Sequence, residues 1–212
     1  MRNIVLATKN TGKITEFKRL LGEHAKDITV LGLNDFPDMP DVVESGKSLS
    51  ENARLKAREI SDFTHLPALA DDSGLFIDAL NGDPGIYSAR WGGYLGEDSS
   101  QRDLVNINKV LGQLKTVSKD QRGAQFKAVV ALYKPNLTGP ATQKDFEGIL
   151  PGEIVLEPIG NSGFGYDPIF MPSGFNQSLA ELSPRVKDEI SHRGIALRMI
   201  CLLYTSPSPR DS

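Results

Sequence analysis

Three acids carry the first chemistry in this chain. Glu44 lies in a loop rich in Asp and Pro, and Asp71 and Asp72 stand side by side after Ala68-Leu69-Ala70. Adjacent carboxylates at a buried strand end repel each other unless a cation lies between them or one is protonated. Magnesium suits such a group. It takes oxygen ligands, keeps several waters and is usually completed by substrate phosphates. Glu51, early in the helical pattern that follows Glu44, is a further candidate ligand. Read alone, Asp-Asp-Ser-Gly also fits a solvated turn held by Asx hydrogen bonds, with Ser73-Gly74 making the turn. The alanine-leucine run leading into it favours a site.

A second group sits near the N-terminus. Ile4-Val5-Leu6-Ala7 ends abruptly in Thr8-Lys9-Asn10-Thr11-Gly12-Lys13. A full phosphate loop needs G-x-x-x-x-G-K-[ST]. Here the first glycine is missing, and Ile14 stands where a hydroxyl residue would hold magnesium. The physics of such a loop still applies. A turn that opens a helix presents free backbone N–H groups at the positive end of the helix dipole, which favours an anion. Thr8, Asn10 and Thr11 add side-chain donors and Lys13 a point charge. An ordinary strand-helix turn with an exposed lysine fits the segment equally well.

Two later stretches complete the set. In "GFGYDP", Phe164 and Tyr166 alternate with glycines, and Asp167 precedes Pro168. Glycine lets a backbone approach a ligand closely, and an aromatic face there can stack a nucleobase, worth about 1–3 kcal/mol per base. The competing reading is a strand start whose aromatics pack inward. In "KDEISHRG", Lys187, His192 and Arg193 are cationic or hydrogen-bonding groups, and Ser191 is placed to cap a new helix. Basic residues in a first turn oppose the helix dipole, a weak pointer to ligand recognition. A surface pair bridged to Asp188 or Glu189 is the simpler account. Together these parts make an anion loop, an acid cluster, a stacking loop and a polar base reader, the requirements for acting on a nucleoside triphosphate.

The elements that must position them are legible from periodicity. Asn3 to Ala7 reads as a buried strand, and Ile14, Phe17, Leu20 and Leu21 mark one helical stripe that ends near Gly22. Ile28 to Leu31 is a second strand, so the chain opens as strand, helix, strand. Asn34 to Glu44 is loop, and Ser48 to Ile60 is a helix capped by Ser48 or Ser50. Ala68 to Ala70 is a short strand; a turn and another short strand follow, and then a glycine-rich loop, "GDPGIYSARWGG", in which Arg90 and Trp91 either line a cleft or brace the loop. Ser99 to Leu114 is helical. Ala124 to Leu132 and Thr142 to Leu150 are two strands that could form a lobe apart from the first sheet, and the chain is helical in character from Leu179.

The bulk numbers bound the function. The 212 residues suffice for one large domain or two packed lobes. A net charge of −3 argues against a protein built to grip nucleic acid. One cysteine, Cys201, excludes an internal disulfide. No apolar run of about 18 residues is present, so no membrane span is expected, and the start lacks the form of a signal peptide. The expectation is a cytoplasmic protein. The last stretch, "LLYTSPSPRDS", breaks the preceding helical pattern with Pro207 and Pro209 among serines. We read residues 202–212 as a disordered or non-native tail and residues 1–201 as the domain.

Five segments in order carry a resemblance: "LATKNTGKITEF", "ESGKSLSENARLKA", "LPALADDSGLFIDALNGDPGIYSAR", "GNSGFGYDPIF" and "ELSPRVKDEISHRGIAL". The chain resembles the inosine triphosphate pyrophosphatase (Ham1-like) family, enzymes for non-standard purine nucleotides. The resemblance implies an α/β fold with a mixed, elongated, twisted sheet and two lobes enclosing a central substrate cleft. It implies a homodimer, and hydrolysis of ITP, dITP and XTP to the monophosphate and pyrophosphate with Mg2+; no nucleic acid and no membrane are expected as partners, from the charge balance and the missing apolar run. Carried onto this chain, Thr8, Lys9, Asn10, Thr11, Gly12 and Lys13 bind the triphosphate. Glu44 and Asp72, with Asp71 beside them, hold the metal, and Asp72 is also the base. Ser73 contacts substrate, while Phe164, Gly165, Tyr166, Asp167, Lys187, His192 and Arg193 form the nucleoside pocket. Lys9 departs from the Gly or Asn of many members and adds positive charge. Two rivals are a Maf-like nucleotide pyrophosphatase and a non-catalytic nucleotide sensor.

Overall fold

The structure is a computed structural model that describes residues 2–24, 28–136 and 138–205. Its order opens with β1 (Arg2–Leu6), α1 (Thr11–His24), β2 (Ile28–Leu31) and α2 (Leu49–Thr64). It continues with β3 (Ala68–Ile77), α3 (Ser99–Leu114), β4 (Gly123–Lys134), β5 (Thr142–Ile154), β6 (Phe170–Pro172), α4 (Pro184–Ile190) and α5 (His192–Thr205). The strands form one six-stranded mixed sheet in the order β2-β1-β3-β4-β5-β6. β1 runs parallel to β2 and to β3, and β6 runs antiparallel to β5.

β4 and β5 are therefore not a lobe apart from the first sheet, because they extend the same sheet beyond β3. β3 is also longer than its apolar run. It continues through Asp71, Asp72, Ser73 and Gly74 to Ile77. The expected turn at Ser73-Gly74 does not form. Gly74 is needed in the strand because a Cβ there would collide with the carbonyl of Gly85. Ser88 fixes that approach: its hydroxyl donates to Gly85 O at 2.6 Å and accepts from Leu75 N at 2.8 Å.

The chain divides into two compact units. The first holds the described residues of Met1–Asp72, Val129–Gly148 and Arg193–Ser212, and the second holds Ser73–Ala128 and Ile149–His192. Each has its own apolar core. In the first, Phe17, Leu20 and Leu21 of α1 pack with Ile4 and Leu6 of β1, Leu69 of β3 and Leu197 of α5. This is the stripe the spacing predicts. In the second, Leu75 and Ile77 pack with Ile107, Val110 and Leu114 of α3 and with Phe126, Ile154 and Phe170.

The helix ends follow local chemistry. Ser48 caps α2 by accepting from Glu51 N at 3.1 Å, and Glu51 returns the contact by accepting from Lys47 N at 2.7 Å. Glu51 thus serves the helix end. Asp98 caps α3, and Ser183 with Pro184 at the first helical position starts α4. α5 runs through Thr205, so residues 202–205 of the expected tail are helical, and residues 206–212 lie outside the described residues.

Candidate active site

The first unit gathers seven charged side chains around β3. Successive side chains of a strand point to opposite faces, so Asp71 and Asp72 do not compete for one partner. Asp71 Oδ2 accepts from Lys13 Nζ at 2.9 Å and from Arg193 Nε at 3.1 Å. The other end of the Arg193 guanidinium, Nη1, donates to Glu16. Asp71 is enclosed, with no solvent exposure of its side chain. Burial alone would raise its pKa, but the charges of Lys13, Arg193 and Lys56 outweigh it and hold the carboxyl far below the usual aspartate range. Burial would also favour the neutral form of Arg193, yet Glu16 and Asp71 keep it firmly protonated.

Asp72 meets a different set. Its Oδ1 accepts from Lys56 Nζ at 3.2 Å and its Oδ2 from Asn52 Nδ2 at 3.2 Å. The same ammonium donates to Glu44 Oε1 and to the backbone carbonyl of Asp71, both at 2.7 Å. Asn52 and Lys56 are one turn apart on α2 and so share a face. Asn52 also accepts from Gly46 N at 2.8 Å, which ties the loop carrying Glu44 to the helix. Burial pushes the Asp72 carboxyl above its usual value, helped by Glu44 and opposed by Lys56 and Lys13. Burial pulls Lys56 down, but Asp72, Asp71 and Glu44 more than offset it, so the ammonium stays charged.

The N-terminal loop is shaped by its own side chains. Thr8 Oγ1 accepts from Asn10 N at 3.2 Å, and Asn10 Oδ1 accepts from Lys13 N at 3.0 Å. Asn10 is thereby the cap of α1, and its oxygen is committed to the backbone, leaving its amide N–H2 as the donor group. Thr11 and Gly12 form the first helical turn. Lys9 is exposed and pairs with Asp41, on the loop that leads to Glu44.

The second unit holds the aromatic loop. Asp167 Oδ2 accepts from Phe164 N at 2.9 Å and from Lys187 Nζ at 2.6 Å. Gly165 N donates to Asp103 Oδ2 at 2.6 Å. The Phe164 ring is half-buried, with the Lys187 ammonium 4.9 Å from its centroid. Tyr166 differs: it is buried, and its hydroxyl donates to Ser88 O at 2.9 Å. Burial, with the charge of Asp103, raises its pKa and keeps it a neutral donor. The His192 ring is also buried, stacked on Phe126 with centroids 4.9 Å apart.

The sequence profile of the Ham1 family matches residues 4–202. The chain belongs to the Ham1 family. It is 44% identical over 198 residues to a dITP/XTP pyrophosphatase of Streptomyces avermitilis, covering 93% of this chain and 94% of that protein. It is 44% identical over 200 residues to a dITP/XTP pyrophosphatase of Geobacter sulfurreducens, covering 94% and 95%. Among solved structures, a HAM1 protein from Coxiella burnetii superposes with a TM-score of 0.82 at 41% identity, covering 97% of this chain and 99% of that one.

Set against this geometry, the expected site residues separate. Lys13, Glu44, Asp71, Asp72 and Arg193 come together in the first unit, whereas Phe164, Gly165, Tyr166, Asp167, Lys187 and His192 belong to the second. Arg193 is bound to Asp71 and Glu16, and so stands with the acids. Ser73, next in β3 after Asp72, is half-buried. Trp91 braces its loop: its Nε1 donates to Gln113 at 3.0 Å and Lys109 lies 4.0 Å over its ring. Sequence reasoning missed Lys56, Asn52, Glu16 and Asp103. For Asn52 and Lys56 a signal existed: they are polar residues one turn apart, flanking the buried Ala53 and Ala57.

Proposed function

We propose that this chain hydrolyses dITP, ITP and XTP to the nucleoside monophosphate and pyrophosphate, and so removes deaminated purines from the nucleotide pool. One observation carries the reading: Glu44 and Asp72 converge on a single cation, the Lys56 ammonium, beside the Lys13–Asp71–Arg193 cluster at the mouth of a capped helix.

Magnesium fits the donor set. Among the described residues no group of three acids, histidines or cysteines is placed to hold a metal alone. Two carboxylates completed by phosphates and water is, however, the habit of Mg2+. Glu44 and Asp72 are the residues that would hold it. Asp71, neutralised by two cations on the other face of β3, is their electrostatic support. When bound, Mg2+ neutralises phosphate charge and lowers the pKa of a water.

The remaining work falls to this chain's own groups. The first turn of α1, with the Asn10 amide and the Lys13 ammonium, binds phosphate oxygens and stabilises the charge of the departing pyrophosphate. Asp72 accepts the proton of the attacking water at its carboxylate. Phe164 offers the base a stacking face, and Lys187 and His192 supply hydrogen bonds to it. A donor facing the purine 6-position welcomes the carbonyl of inosine and xanthosine and opposes the amino group of adenosine, because a buried donor left unpaired is costly. The same reading makes the working form a homodimer in the cytoplasm. No helix among the described residues is long and apolar enough to cross a membrane.

The test is pyrophosphate release from dITP, GTP and ATP compared side by side, with and without Mg2+. Fast magnesium-dependent release from dITP alone is expected, with Asp72→Asn folded and slower by orders of magnitude. Equal release from all three would discard the base reading. Tight dITP binding without release would make the chain a sensor.

A further inference from the structure

We propose that Asp103 is a positioning residue for nucleoside recognition: from α3 it fixes the aromatic loop through the Gly165 amide and so holds the Phe164 ring where a base can stack. The inference rests on the reading of Phe164 as the stacking face.

The loop needs such a hold. Gly163 and Gly165 have φ of +82° and +63°, the left-handed region that glycine enters freely. Two such residues flanking Phe164 leave its ring without a direction unless side chains pin the backbone. Two carboxylates do this at successive amides. Asp167 accepts from Phe164 N, three residues back along the chain, and so sets the shape of the turn. Asp103 accepts from Gly165 N across 62 residues of sequence, and so sets the place of the turn against α3. Tyr166 anchors the far side through its hydroxyl bond to Ser88 O.

Asp103 is suited to that one partner. Its side chain is 23% exposed, and its ion pair with Arg102 is long, at 4.0 Å. Its bond to Gly165 N is short, at 2.6 Å, and a carboxylate acceptor makes such a bond stronger than one between neutral groups. α3 uses the device twice. Asn106, three residues on, accepts from Gly92 N at 2.6 Å and donates to Ala89 O at 3.3 Å. One turn of α3 therefore fixes two loops by their backbones. A ring held in place before binding contributes its stacking without the entropy of ordering the loop.

The test compares Asp103→Leu, Asp103→Asn and Phe164→Ala by steady-state pyrophosphate release from dITP. Asp103→Leu is expected to raise KM roughly tenfold with kcat nearly unchanged, the effect of losing one charge-assisted hydrogen bond. Asp103→Asn keeps an acceptor and is expected to restore most of the KM. A lower melting temperature with unchanged KM in Asp103→Leu would overturn the proposal, because it would make the bond structural only. Should Asp103→Leu not fold, Asp103→Ser, too short to reach Gly165 N, carries the same expectation. If Phe164→Ala raises KM and the Asp103 variants do not, the positioning role fails alone. If neither raises KM, the stacking reading fails and takes this one with it.

Discussion

Replacing Asp71 by Asn tests the electrostatics of the first unit without changing its shape. The carboxylate has no solvent exposure and faces Lys13 and Arg193, whose side chains are 16% and 4% exposed. Removing one partner of a buried ion cluster costs about 3–5 kcal/mol, because the other charges stay buried without compensation. Arg193 keeps Glu16, and an amide oxygen still accepts a hydrogen bond, so the lower end applies, about 3 kcal/mol. For a chain of this size that corresponds to a melting temperature lower by roughly 6–12 °C. Urea unfolding should show a lower midpoint with an unchanged slope. The pH dependence gives the sign. Asp71 is more acidic in the folded protein than the ordinary aspartate value of 3.8, so its contribution is present above that value and is lost as pH falls through the folded-state value. The gap between wild type and variant should therefore be full at neutral pH and shrink in strong acid. A variant within about 1 kcal/mol of wild type at pH 7 would refute the reasoning, and a more stable one would show that desolvation outweighs the ion pairs.

Other substitutions separate the remaining roles. Lys56→Met leaves Glu44 and Asp72 facing each other without their shared ammonium; Mg2+ should raise the melting temperature of this variant more than that of wild type, and equal shifts would remove Lys56 from the cation's place. Tyr166→Phe loses the bond to Ser88 O and should cost about 1 kcal/mol in urea unfolding, with only a small rise in KM for dITP because Asp103 and Asp167 still hold the aromatic loop. A large rise in KM would return Tyr166 to the stacking face. Ser48→Ala removes the cap of α2 and should cost about 1 kcal/mol by the same assay.

What the sequence shows of this fold depends on how far apart its partners lie. β2 and α3 have the bounds their periodicity predicts, Ile28–Leu31 and Ser99–Leu114, because strand alternation, helical stripe and caps are local. The apolar run alone gives a strand that stops at Ala70, because Asp-Asp-Ser-Gly is a turn sequence by every local rule. Only the carbonyl of Gly85, eleven residues on, explains why Gly74 stays in the strand. The acids Glu44, Asp71 and Asp72 were legible as a charged group, but their partners were not. Arg193 reaches Asp71 across 122 residues and Glu16 across 177. No local pattern carries such a pair. The neighbours His192 and Arg193 read as one recognition pair, yet one stacks on Phe126 and the other neutralises Asp71.

The balance of charge in the first unit links these pieces. Lys13, Lys56 and Arg193 face Glu16, Glu44, Asp71 and Asp72, three cations against four carboxylates. Asp71 is paired with two of the cations through one oxygen. The surplus falls on the Glu44–Asp72 pair, which shares one ammonium, and burial, with the charge of Glu44 added, pushes the Asp72 carboxyl above its usual value. A triphosphate would bring several more negative charges to this cluster, and like charges at these distances cost several kcal/mol in a partly buried site. A divalent cation would relieve that cost, and the proposed function puts it where the carboxylates are least compensated, at Glu44 and Asp72. The alternation of one strand therefore does the sorting: it gives Asp71 to Lys13 and Arg193 and leaves Asp72 to share one ammonium with Glu44, where the proposed function puts the metal and the base.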